Sequence, residues 1–166
     1  MKKLYIIRHA KSSWKDMSLD DFDRPLNKRG KHNSKFMGEL LHKKAIKPDS
    51  IISSPAKRAS DTAVNIAKEL DYPTEKIIYD ESIYEASSST LLHIIQAIDD
   101  KYQQVFLIGH NPSLNTLLAH LIPNNDIDNI VTAGIVELEL DIDSWKYLSA
   151  KNCRFVSFEY PKKYIT

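Results

Sequence analysis

Leu4-Tyr5-Ile6-Ile7, running into Arg8-His9, and Val105-Phe106-Leu107-Ile108, running into Gly109-His110, are the two stretches that decide the fold. Each is a short apolar run, largely β-branched or aromatic, the mark of a strand buried on both faces of a parallel sheet. Each is followed by polar turn chemistry and then by a helical pattern. In an open α/β sheet, ligands bind at the carboxyl ends of the parallel strands. The spacing therefore predicts that His9 and His110 face each other across one crevice. Arg8, beside the first of them, suggests that the crevice receives an anion.

Outward from these runs, strand and helix alternate. Residues 11–27 are polar and turn-rich, a loop. Phe36, Met37, Leu40 and Leu41 form an apolar stripe of helical period, expected to end at Pro48. A second strand is expected at 50–53, and Pro55 favours a helix start, with Ala59, Ala63, Ile66, Ala67 and Leu70 on its buried face. Residues 77–79 read as a short third strand. Ser87 to Thr90 offer N-caps to a helix carrying Leu91, Leu92, Ile94, Ile95 and Ile98. Asn111-Pro112 opens a fourth helix with Leu114, Leu117, Leu118 and Leu121. Residues 135–142 then alternate apolar with acidic, the period of a half-exposed strand. Residues 155–160 read as its partner, with Asp143-Ser144 at or near the turn. The pattern predicts a three-layer α/β/α sandwich with a mostly parallel sheet and a C-terminal antiparallel hairpin at its edge, in one domain over 1–166.

The chain has 166 residues, 42% of them apolar and 27% charged, and a formal net charge of +1. That balance gives no bulk attraction to nucleic acid or to an anionic membrane. Cys153 is the single cysteine, which excludes an internal disulfide and suits a reducing compartment. The four apolar residues before Arg8 are too few for a signal peptide, and no run approaches a membrane span. A cytoplasmic address is expected. Oligomeric state is not legible.

Four candidate groups fall just past strands. Arg8 and His9 follow the first, Arg58 lies in the first turn of the helix after the second, and His110 follows the fourth. Glu85 lies after the third. Guanidinium forks match phosphate oxygens, helix-start N–H groups add donors, and a neutral imidazole is a competent nucleophile near pH 7. These residues read as a phosphate-handling site centred on a histidine. A lone Arg-His pair would ordinarily be structural, and His32, His42, His93 and His120, inside helical patterns, read as surface or satisfied histidines. Arg24, in a charged loop, can equally pair with Asp21 or Asp23 or meet substrate.

Leu4-Tyr5-Ile6-Ile7-Arg8-His9-Ala10 resembles the signature of the histidine phosphatase (phosphoglycerate-mutase-like) superfamily. The stretch from Ser53 through Pro55, Arg58 and Thr62 to Ala63 resembles its second block. Leu107-Ile108-Gly109-His110-Asn111-Pro112 resembles its third. Asp23-Arg24-Pro25-Leu26-Asn27-Lys28-Arg29-Gly30 resembles the phosphohistidine phosphatase branch of SixA type. The resemblance implies that His9 accepts the phosphoryl group and that Arg8, Arg58 and His110 cradle it, with Arg24 and Asn111 as further substrate contacts. It implies a glutamate after the third strand as proton donor, a position for which Glu85 and Glu81 compete, or none in the phosphohistidine branch. Ala10 stands where the family usually has glycine.

Other phosphatase chemistries find no support. Cys153 is followed directly by Arg154, without the spacing of a cysteine phosphate loop, and Asp141-Ile142-Asp143 ends an alternating strand. Four scattered glycines make no nucleotide loop, and no histidine pair has metal spacing. The expectation is a metal-independent, cofactor-free hydrolase acting on a phosphorylated protein, with phosphohistidine favoured, or on a small phosphorylated molecule. A phosphate-binding module with a dead site is the non-enzymatic alternative.

Overall fold

The computed structural model describes residues 1–165. Its strands are β1 (Lys2–Arg8), β2 (Ser50–Ser53), β3 (Ile78–Tyr79), β4 (Gln104–Gly109), β5 (Ile135–Leu140) and β6 (Cys153–Glu159). Its α-helices are α1 (Lys28–Lys43), α2 (Lys57–Glu69), α3 (Ser88–Gln96) and α4 (Ser113–Leu121). The strands form one six-stranded sheet in the order β3-β2-β4-β1-β5-β6. β1, β2, β3 and β4 pair in parallel, and the β5–β6 hairpin extends the β1 edge antiparallel.

Alternation along the strands sorts side chains to two faces. Leu4, Ile6, Val105 and Leu107 pack with Leu91, Ile95, Leu114 and Leu118 of α3 and α4. Tyr5, Ile7, Phe106 and Ile108 pack with Met37, Leu41, Ala63 and Ile66 of α1 and α2. Covering both faces makes the three-layer α/β/α sandwich, and explains why β1 and β4 read as unbroken apolar runs. β5 keeps Glu137 and Glu139 partly exposed while Val136, Leu138 and Leu140 are buried. Among the described residues no helix is long and apolar enough to cross a membrane.

Several boundaries differ from the sequence reading: β3 begins at Ile78, α3 ends at Gln96 before Ile98, β5 ends at Leu140 and β6 spans Cys153–Glu159. α1 stops at Lys43, well before Pro48. Ala45 adopts φ 58°, its N–H donates to His42 O at 2.9 Å, and Ile46 N–H donates to Leu41 O at 3.1 Å. This is the Schellman bonding pattern, which satisfies the last carbonyls of a helix, here with alanine in the left-handed position. α2 ends the same way through Asp71, at φ 55°, with Tyr72 N–H on Ala67 O at 2.9 Å. The β5–β6 connection is no tight turn at Asp143-Ser144. It carries 3-10 turns at Trp145–Tyr147 and Ala150–Asn152, and Trp145 is buried beneath α3 with its indole N–H on Tyr102 O at 2.9 Å.

Candidate active site

The sheet register brings the two histidines together. Arg8 pairs with Gly109 across β1 and β4, so the next residues, His9 and His110, leave adjacent strands side by side. Their ring centroids lie 5.2 Å apart. His9 Nδ1 lies 2.7 Å from Ala10 O. A carbonyl only accepts, so Nδ1 carries the proton and Nε2 holds the lone pair. Ala10 is locked in turn, since its N–H donates to Thr62 Oγ1 at 2.9 Å and Thr62 Oγ1 donates to Arg58 O at 2.8 Å. Ala10 is not among the residues with positive φ, so the glycine usual in the family is not demanded here.

His110 leans on a residue that the sequence reading did not single out. Ser54, fully buried after β2, has its Oγ 2.8 Å from His110 Nε2 and accepts the Ala56 N–H at 3.2 Å. The serine hydroxyl can donate to His110 Nε2, and in that tautomer the His110 proton lies on Nδ1. Ser54 lay inside the second motif block, where a buried serine reads as packing.

The arginines enter from three directions. Arg8 closes β1 and donates from Nη1 to Ile130 O at 3.1 Å. Arg58, in the first turn of α2, donates from Nη1 to Asp21 O at 2.7 Å and from Nη2 to Asp21 Oδ2 at 3.0 Å. Arg24 donates from Nε and Nη2 to Asp21 Oδ1 at 3.2 and 3.0 Å, and from Nη1 to Ser12 Oγ at 2.7 Å. Among the described residues, three buried side-chain nitrogens lack a protein partner: Arg8 Nε, Arg58 Nε and His110 Nδ1. Each belongs to a residue that the sequence reading put around His9.

Asp21 is the second residue not assigned from sequence. Its Oδ2 also accepts from the Tyr84 hydroxyl at 2.7 Å. One carboxylate thereby ties residues 12–26 to Arg58 and to the segment after β3. Burial pushes the Asp21 pKa up, but hydrogen bonds from Tyr84, Arg24 and Arg58 outweigh it and hold the carboxyl at about 2. Tyr84 stands edge-on to His110, centroids 5.7 Å apart, and to Phe22 at 5.1 Å. Arg24 lies 3.5 Å over the exposed Trp14 ring. Arg24 therefore pairs with Asp21, one of the two alternatives left open by the sequence.

Other expected contacts are placed differently. The Asn111 amide donates to Asn129 Oδ1 and Ile130 O and accepts the Asn115 N–H. It holds the Ile130 carbonyl that receives Arg8. Glu85 and Glu81 are exposed, and Glu85 sits at φ 59°. Exposed too are His32, His42, His93 and His120, on α1, α3 and α4.

Burial, and then the neighbouring His110, Arg58 and Arg8, push the His9 pKa down to about 3, against a smaller opposing pull from its bond to Ala10 O. Burial and Arg58 push His110 down to about 4. The imidazole signals of both are therefore expected not to titrate between pH 5 and 8, which an NMR pH series reads directly. In the unfolded chain each would take up a proton near pH 6.5. The unfolded state thus binds more protons between about pH 6.5 and the folded values, so the stability due to these groups is complete above that window and declines on acidification through it. Protonation of either ring near pH 6.5 would contradict the burial described.

The fold gathers a cluster of histidines and arginines with unpartnered buried nitrogens at the carboxyl end of a mostly parallel sheet. The chain belongs to the histidine phosphatase superfamily (branch 1), whose family model matches residues 4–91. It superposes on a crystal structure from Agrobacterium tumefaciens, described as a candidate phosphohistidine phosphatase SixA, with a TM-score of 0.83, 28% identity, and 96% of this chain and 98% of that one covered. It is 25% identical to the phosphohistidine phosphatase SixA of Escherichia coli strain K12 over 84% of this chain and 86% of that protein. It is 31% identical over 119 residues to an uncharacterized chloroplastic protein of Arabidopsis thaliana, covering 66% of this chain and 54% of the plant protein.

Proposed function

We propose that this chain is a single-domain phosphatase that passes a phosphoryl group through His9 to water, with phosphohistidine on a protein as its preferred substrate. His9 Nε2 attacks phosphorus, the substrate's bond to phosphorus breaks, and the departing group takes a proton. Water then attacks the phosphohistidine at His9 and releases inorganic phosphate. The observation that carries this reading is the set of buried nitrogens without a protein partner, on Arg8, Arg58 and His110, surrounding a neutral imidazole whose lone pair is at Nε2. Those donors supply the charge stabilisation that Mg²⁺ supplies in other phosphoryl transfers, so the proposal includes no metal. The free Cys153 suits a cytoplasmic site of action.

The preference for phosphohistidine rests on the leaving-group side of the site. Tyr84 stands edge-on to His110 there, with Phe22 packed behind it, and Glu85 is exposed. Imidazole leaves readily once protonated, and solvent supplies that proton near neutrality. An alkoxide needs a placed general acid, worth about 10²–10⁴-fold. One observation favours the second reading, a small phosphoester: Glu85 is held at φ 59°, and such outliers cluster at functional sites. Hydrolysis of a phosphohistidine protein and of an alkyl phosphate, by wild type and by Glu85→Gln, separates the two. The expected result is a slight loss on phosphohistidine and a strong loss on the alkyl phosphate. A hundredfold loss on phosphohistidine would make Glu85 an essential acid and move the assignment to phosphoesters.

A further inference from the structure

The α1–α2 layer carries charge that the proposed chemistry does not use. α1 holds Lys28, Arg29, Lys31, Lys35 and Lys43 against the single acid Glu39, although the whole chain has a net charge of only +1. Lys31 and Lys35 are one helical turn apart and share a face. The two helices approach closely, since a Cβ added at Gly38 of α1 would lie 2.9 Å from Glu69 Cβ of α2. Beside that contact runs a groove of about 620 Å³, lined by Lys31, Lys35, Lys57 and Lys68 against Asp61 and Glu69.

Lys57 is already paired with Asp61 at 2.7 Å. Among the described residues, Lys31, Lys35 and Lys68 have no carboxylate within 4.0 Å, and all three are exposed. The groove opens beside the candidate active site. Lys57 precedes Arg58, and Pro25, also in its wall, follows Arg24. From Lys57 to Lys68 the helix advances about 16 Å, the span of about five extended residues.

We propose that this groove docks an acidic stretch of the phosphorylated protein, one that lies beside the phosphorylated side chain on the partner's surface. The proposal rests on the reading of a protein substrate given above. Asp61 and Glu69 in the wall set the class of ligand. They would oppose a continuous phosphate backbone, whereas side-chain carboxylates at intervals can meet Lys31, Lys35 and Lys68 separately. Exposed pairs of this kind are individually weak and screened by salt, so the groove would tune affinity and leave the chemical step alone.

Two synthetic phosphohistidine peptides test this, one flanked by aspartates and glutamates and the other by serines and glutamines, beside phosphoramidate as a substrate too small to reach the groove. The acidic peptide is expected to show a KM about 10-fold lower at low salt, an advantage that shrinks as salt rises. The triple variant Lys31→Glu/Lys35→Glu/Lys68→Glu should erase that advantage by raising KM, with kcat and phosphoramidate hydrolysis unchanged; the unchanged phosphoramidate rate also reports intact folding. Equal KM values for the two peptides, or an advantage that survives in the triple variant, would overturn the groove. An oligonucleotide that competes as well as the acidic peptide would overturn it in favour of nucleic acid. Absence of wild-type turnover on all three substrates would instead overturn the phosphohistidine reading itself.

Discussion

Replacing His9 with alanine is expected to abolish turnover, by roughly the 10⁶-fold seen when a catalytic nucleophile is deleted. The argument begins in the sheet, where β1 and β4 fix His9 beside His110, centroids 5.2 Å apart. It continues in the tautomer, because the bond from Nδ1 to Ala10 O at 2.7 Å leaves the lone pair on Nε2. Burial, with Arg8 and Arg58 nearby, then keeps that ring uncharged. Rapid quench with labelled substrate should trap label on the wild-type protein as an acid-labile, base-stable adduct, the behaviour of a phosphorus–nitrogen bond. His9→Ala should carry no label while keeping its affinity for the groove peptides. Label retained at wild-type level would remove His9 as the nucleophile.

Arg58→Ala is expected to be the next most damaging change, lowering kcat about 10³-fold and weakening vanadate binding in parallel, as losses of transition-state charge stabilisation do. Arg58 is gripped on two sides by Asp21, at 2.7 Å from its backbone carbonyl and 3.0 Å from its carboxylate, and its buried Nε has no protein partner. The guanidinium can therefore be clamped by the protein and present a donor to an anion at once. An ammonium has no such fork, so Arg58→Lys should recover little. Vanadate affinity and kinetics matching wild type in Arg58→Ala would be incompatible with the site proposed here.

Legibility in the sequence followed burial geometry. β1 and β4 were readable because both faces are covered, so their residues had to be apolar throughout. β5 was readable because one face keeps its glutamates in contact with water. Helix ends were not. Ala45 and Asp71 take the left-handed turns that close α1 and α2, whereas none of the glycines has positive φ. The usual punctuation mark for a helix end was therefore absent from both. Gly38 instead marks a close helix approach. In the site, Arg8, His9, Arg58 and His110 were readable because each closes or directly follows a strand, or opens a helix. Asp21 was not, since its contact with Arg58 spans 37 residues and exists only once the loop folds back over α2. Asn111 illustrates the opposite error. Its place beside His110 suggested a ligand contact, but its side-chain amide bonds to Asn129 and Ile130 of one loop and to Asn115 of α4.

The register that sets His9 against His110 also divides the molecule's evolutionary freedom. The proposed nucleophile and its partner ring are placed by strand pairing, with His9 N–H bonded directly to Gly109 O at 3.2 Å. Moving either by one residue would turn an entire strand inside out. Trp14, Phe22 and Tyr84 lie on connections outside the strands and α-helices, and connections tolerate substitution and insertion far better than the sheet does. On the function proposed here, a lineage built on this frame can therefore exchange one phosphorylated substrate for another by rewriting residues 12–26 and the segment after β3, and inherit the proposed phosphoryl-transfer step unaltered.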